Sequence, residues 1–186
     1  MKKKYFWIVF LIFDWATASA SWVCFNFFRK TYIEEYPLEI NQKLVLSTIL
    51  LSIFWVFIYA AMGQYKSVYK KYRIKEITQT LSQSFLGIIL IFFAFLLDDQ
   101  INSYQDYYNL ILALIVLHTT LTFIPRIIIT TNIVRKVHNG FIGFNTLIIG
   151  SRNNAKETLL EIQNLKKSSG YFIKGYISTN GGPDMM

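Results

Sequence analysis

Four apolar blocks of about 20 residues each restrict this chain more than any other feature. Hydrocarbon satisfies no backbone N–H or C=O, so an α-helix is the structure by which a single segment of that length crosses a bilayer. The blocks are Tyr5–Phe28, Leu44–Met62, Ile77–Leu97 and Tyr107–Ile129. The third is mixed, beginning with the polar run ITQTLSQS before FLGIILIFFAFLL, and Pro125 with Arg126 is expected to end the fourth. Hydrophobic residues make up 53% of the 186, a modest excess over the roughly 45–50% of soluble domains, but they concentrate before Thr130. The expected fold class is therefore a membrane α-helical domain of four transmembrane helices over residues 1–129. A basic juxtamembrane linker (130–143) and the incomplete start of an α/β domain (144–186) follow.

A formal charge of +8 invites a nucleic-acid reading, but in a membrane protein Lys and Arg collect in cytoplasmic loops. With four spans and the N-terminus inside, only Arg29, Lys30 and Lys43 of the 19 basic residues fall in outer loops. Those loops also hold Glu34, Glu35, Glu39, Asp98, Asp99 and Asp106 of the 11 acids. Both termini are thus expected in the cytoplasm, with the lipid bilayer as the main partner and no nucleic acid. MKKK, an apolar run and ATASA also resemble a secretory signal with its A-x-A cleavage site. The apolar character continues through Trp22–Phe25, which suits a full span better.

Few polar residues interrupt the spans. Cys24, the single cysteine, allows no disulfide framework and reads as a buried structural thiol. Asp14 lies mid-span, where an unpaired carboxylate costs roughly 2.5–3.5 kcal/mol. With no Lys, Arg or second acid expected inside the membrane, it reads as an inward-packed residue rather than part of an ion relay. His118 reads the same way, hydrogen-bonding across helices. The loop GQYKSVYKKYRIKE places Tyr65, Tyr69 and Tyr72 on one helical face among Lys66, Lys70, Lys71 and Arg73. Aromatics toward lipid and cations toward anionic headgroups would make these seven residues a membrane-interface element. Gly140 is the expected stop of the basic stretch RIIITTNIVRKVHNG.

From Phe144 the pattern changes. FNTLIIG suits a strand buried on both faces, NNAKETLLEIQNLKKSS carries one apolar helical stripe, and YFIKGYIS reads as a second strand beyond Gly170. The result is one β-α-β unit of about 35 residues, whose parallel strands need further neighbours. The turn Gly150-Ser151-Arg152-Asn153-Asn154-Ala155 keeps the first glycine and final small residue of the dinucleotide motif G-x-G-x-x-A. Arg152 occupies the middle glycine position, and no acid follows at the ribose distance. Gly150, Ser151, Arg152 and Asn153 are thus a weak candidate for a nucleotide or phosphate site at a helix start, beside the reading in which the turn is purely structural. No catalytic residue and no metal ligand set is discernible.

Taken together, four spans, the GQY tyrosine-basic loop, a basic stretch after the fourth span, NTLIIGSRNNA and GYFIKGYIS resemble the N-terminal half of bacterial polyprenyl glycosylphosphotransferases. The resemblance covers essentially the whole chain through architectural motifs. It implies a Rossmann-like (CoA-binding-like) accessory domain, a location in the bacterial inner membrane, and a role in capsule or exopolysaccharide synthesis. In that family a separate C-terminal domain moves a sugar 1-phosphate from a nucleotide sugar to undecaprenyl phosphate, using a carboxylate pair and Mg²⁺. That domain is not expected in these residues, so no cofactor is expected here and no catalytic residue carries over. Polyprenyl phosphate is an implied partner, and the unfinished sheet points to homo-oligomers. Membrane-bound NAD-dependent nucleotide-sugar 4,6-dehydratases resemble the same front end, and a non-enzymatic membrane interaction module is the remaining alternative.

Overall fold

Leu, Ile and Phe dominate the apolar blocks, and each block closes its own backbone bonds as a helix. The computed structural model describes residues 6–66, 73–96, 104–150 and 152–178. Helix α1 spans Phe6–Phe28 and continues as a π-helical turn, Arg29–Ile33; α2 spans Gln42–Ala61; α3 spans Arg73–Ile91, followed by a π-helical turn at Phe92–Leu96; α4 spans Tyr104–His138. Four helices are long and apolar enough to cross a membrane. The Asn41 side chain caps α2 by accepting from the Leu44 N–H at 2.9 Å. In the loop after α1, Arg29 and Lys30 both pair with Glu34.

Helix α4 does not end at Pro125 and Arg126, as the sequence suggested; it runs on through both. Proline removes one N–H and clashes with the preceding turn, but neighbouring helices in a bundle can re-satisfy the freed carbonyl. Arg126 is no terminus because its side chain points inward. Most of the expected 130–143 linker is consequently helical. The stop comes at Gly140 (φ +74°), where the Gly140 N–H donates to Val137 and the Phe141 N–H to Lys136, a Schellman closure.

The chain divides into two compact units at Thr130/Thr131. In the first, each helix turns one stripe inward. On α4 the stripe repeats every four residues, as Leu110, Leu114, His118, Thr122, Arg126 and Thr130, all buried. On α1 it is Phe10, Asp14, Ala18, Ser21 and Phe25. Toward the C-terminal end of α1 the interior is apolar, with Phe25, Leu51, Ile88, Ile91, Leu110 and Leu114 in one cluster. Large apolar side chains such as Trp15, Phe57, Phe85 and Leu112 face outward, as expected where lipid is as apolar as the core. Helices α2 and α3 meet at Gly87: a Cβ there would lie 2.2 Å from the Trp55 ring.

The second unit holds strand β1 (Phe144–Gly150), helix α5 (Arg152–Gln163) and strand β2 (Tyr171–Ser178). The strands pair in parallel, from Phe144 against Tyr171 to Gly150 against Ser178, with Lys174 bulged out between Ile173 and Gly175. The β-α-β reading is thus seen as a two-stranded parallel sheet with a crossover helix, and Ala155 of α5 is buried. Leu147, Ile149 and Ile177 are exposed.

Replacing Gly87 by Val is expected to destabilise the bundle by about 1–3 kcal/mol through overpacking against Trp55. Thermal unfolding in detergent measures it; an unchanged midpoint would show that α2 and α3 are not packed through this contact.

Candidate functional site

The half of the bundle nearer the N-terminus of α1 has a polar interior, organised around a single cation. Arg126 donates from Nε to Asp14 Oδ1 at 2.7 Å and from Nη2 to Asp14 Oδ2 at 2.8 Å. Its Nη1 donates to Thr80 Oγ1 at 3.3 Å and lies 4.0 Å from Glu76 Oε1. The guanidinium also sits 4.0 Å above the Tyr59 ring centroid, a placement that favours a desolvated cation. The two paired side chains are only 1% and 2% exposed. A planar fork matches a carboxylate in two parallel bonds, which Lys could not reproduce. Asp14 is inward-packed as expected, but its partner is a charged residue that had been placed at the end of a span.

The turn after α2 reaches into the same cluster. Gly63 (φ +72°) closes α2 in a Schellman motif, its N–H donating to Ala60 and that of Gln64 to Tyr59. That reversal sends two consecutive side chains back into the bundle. Gln64 Nε2 donates to Glu76 Oε1 at 2.7 Å, and the Tyr65 hydroxyl donates to Asp14 Oδ2 at 2.9 Å. Burial, then the Asp14 carboxylate, hold the Tyr65 phenol well above the ordinary tyrosine range, so it remains a donor. Tyr65 therefore does not face lipid as its spacing suggested; a charged acceptor outweighs the interface. Lys66 and Arg73 are exposed, whereas Tyr69, Lys70, Lys71 and Tyr72 lie outside the described residues.

A second relay joins the first through Tyr59. The Ser21 hydroxyl donates to the Ala18 carbonyl at 2.9 Å, so its oxygen is left to accept from His118 Nδ1 at 3.0 Å. His118 Nε2 then accepts from the Tyr59 hydroxyl at 2.8 Å, which fixes the imidazole as protonated on Nδ1 alone. The ring stacks on Trp55 at 3.6 Å. His118 is a cross-helix packing residue, as its sequence context implied. Ser84 and Thr122 flank the Tyr59 hydroxyl without completing a hydrogen bond to it. Among the described residues, Gln83 Oε1, Ser84 Oγ, Thr122 Oγ1 and Thr130 Oγ1 are buried without a partner.

The remaining sequence candidates are not drawn into this cluster. Gly150 ends β1, and a Cβ there would meet nothing within 4 Å, so no close approach explains that glycine. Arg152 and Asn153 open α5, and Ser151 lies outside the described residues. Cys24 is not a buried thiol: it is exposed, lining an apolar groove of about 550 Å³ with Val23, Phe27 and Ala113. Its apolar neighbours in sequence do not say which helix face it takes. Among the described residues, no group of three or more His, Cys, Asp or Glu is placed to hold a metal. Sequence reasoning missed Arg126, Glu76, Tyr59 and Gln64. The four-residue spacing of His118, Thr122, Arg126 and Thr130 was the available signal, hidden by treating Pro125 as the end of the span.

Compared with known proteins, the chain matches no family model, no curated protein and no solved structure.

Removing one partner of a buried ion pair strands the other charge, at a cost of about 3–5 kcal/mol. Arg126→Leu and Asp14→Leu should each lower the unfolding midpoint in detergent strongly, and the double variant by much less than their sum. Additive losses would mean the two residues are not coupled. The raised Tyr65 pKa carries its own sign: stability is steady below the ordinary tyrosine value of about 10 and falls as pH rises above it. In Tyr65→Phe that alkaline loss should shrink.

Proposed function

We propose that this chain is the membrane-anchoring and accessory half of a sugar-1-phosphate transferase that loads a sugar phosphate from a nucleotide sugar onto undecaprenyl phosphate. The observation that carries this reading is the order of elements. Four helices fit to span a membrane are followed, through the continuous helix α4, by a parallel β-α-β crossover with a glycine at the end of its first strand. In this reading the β-α-β unit belongs to a Rossmann-like accessory domain, and the basic end of the bundle lies in the cytoplasm of a bacterial inner-membrane protein. Mg²⁺ chemistry belongs to the catalytic domain that the family resemblance implies, and the weak anion site at Gly150–Asn153 plays no catalytic part.

The coding sequence downstream of Met186 tests the proposal. A transferase domain with a paired carboxylate supports it, a dehydrogenase domain carrying NAD selects the dehydratase reading instead, and a stop codon favours an interaction module. For topology, a reporter fluorescent only in the cytoplasm and fused after Met186 is expected to shine, while a periplasm-dependent phosphatase at the same point stays inactive. The reverse pattern would overturn the orientation.

A further inference from the structure

The polar interior is closed at one end by the turn after α2, which is joined to α2 by backbone hydrogen bonds and to α1 and α3 by side chains. Gly63 gives the turn its left-handed pivot. Space around that pivot is loose, the nearest atom to an added Cβ being the flexible Lys66 Cδ at 3.7 Å. Among the described residues, the side-chain bonds that fasten it across the bundle are one from Gln64 to Glu76, one from Tyr65 to Asp14, and a long 3.5 Å contact from Gln83 Nε2 to Gln64 Oε1.

Beneath it the bundle interior is not satisfied. Thr80 lies at the depth of Arg126, so Ser84 and Thr122 sit one turn deeper on the antiparallel helices α3 and α4. Among the described residues both lack partners, as do Gln83 Oε1 and Thr130 Oγ1. Buried oxygens in a polar interior are ordinarily satisfied by ordered water. Closure of the turn therefore gains two hydrogen bonds to carboxylates, and lifting it gains hydration of four oxygens and of the guanidinium cluster. The two states oppose each other through hydrogen bonds, and Gly63 is the pivot between them.

We infer that the Gly63–Tyr65 turn is a lid over a hydrophilic cleft among α1, α3 and α4, and that lifting it admits water and small hydrophilic solutes to Arg126, Ser84 and Thr122. The cleft stops at the apolar layer of Ile88, Ile91 and Leu114, so it opens to one side of the bundle only. This inference is independent of which enzyme the bundle anchors.

Cysteine accessibility tests it in the full chain, reconstituted in a Cys24→Ala background. With Ser84→Cys, a small hydrophilic methanethiosulfonate should react far more slowly than with the exposed control Lys66→Cys. Adding Gln64→Leu and Tyr65→Phe should accelerate the Ser84→Cys reaction by at least about tenfold, the equivalent of losing one hydrogen bond to a charged group. Ile91→Cys should remain slow in both backgrounds. Equal rates at positions 84 and 66 with the turn intact would show that no lid exists. An unchanged rate at 84 in the lid variant, with helix content and melting preserved, would show that the turn closes nothing. If the double change prevents folding, Tyr65→Phe alone, which deletes one oxygen, is read on the same scale, and an unchanged rate there overturns the inference equally.

Discussion

Two opposite charges, Asp14 on α1 and Arg126 on α4, meet inside a bundle whose outer surface is built for hydrocarbon. Either charge alone at that depth is costly, and their bidentate geometry leaves little freedom in how the two helices are placed. Depth and rotation of α1 relative to α4 are set by the requirement that Oδ1 and Oδ2 reach Nε and Nη2 together. Such a pair does not have to add net stability over a well-packed apolar alternative. Its consequence is specificity: one helix register satisfies it, and slipped registers strand a charge.

The other polar contacts are arranged around that pair. Tyr59 from α2 lies under the guanidinium and simultaneously donates to His118, linking the charged cluster to the Ser21–His118 relay. Thr80 and Glu76 bring in α3. Tyr65 extends the network to the turn beyond α2. All four helices thus contribute a side chain to one connected set, while van der Waals packing carries the other half of the bundle. There Gly87 admits the Trp55 ring, which also stacks on the His118 imidazole.

How much was legible follows from the kind of signal each feature leaves. Span number and approximate limits rest on local hydropathy, which needs no partner to be read, and α1 to α3 fall close to the expected blocks. The β-α-β order of the second unit is likewise a local pattern, and Gly140 stops α4 where a Schellman glycine should. Arg126 misled because a charge after a proline looks identical whether it ends a span or turns into a bundle; only the partner distinguishes them. Tyr65 misled for a similar reason. Its i, i+4, i+7 spacing with Tyr69 and Tyr72 assumes a helix, whereas Gly63 reverses the chain just before it and aims the phenol at Asp14. Cys24 shows the converse limit, since uniformly apolar neighbours carry no information about which face of α1 is inward.

The sequence by itself determined that this chain makes four helices able to cross a bilayer and that a parallel β-α-β unit follows. Backbone hydrogen bonding without water, and the periodicity of strands and helices, leave few other outcomes for those residue patterns. Tertiary structure alone decided which polar residues face one another: Asp14 with Arg126, Gln64 with Glu76, Tyr59 with His118. Those partners stand 112, 12 and 59 positions apart. The stability of a charge or hydroxyl in a low-dielectric interior depends on the atoms opposite it, and separation along the chain holds no record of them.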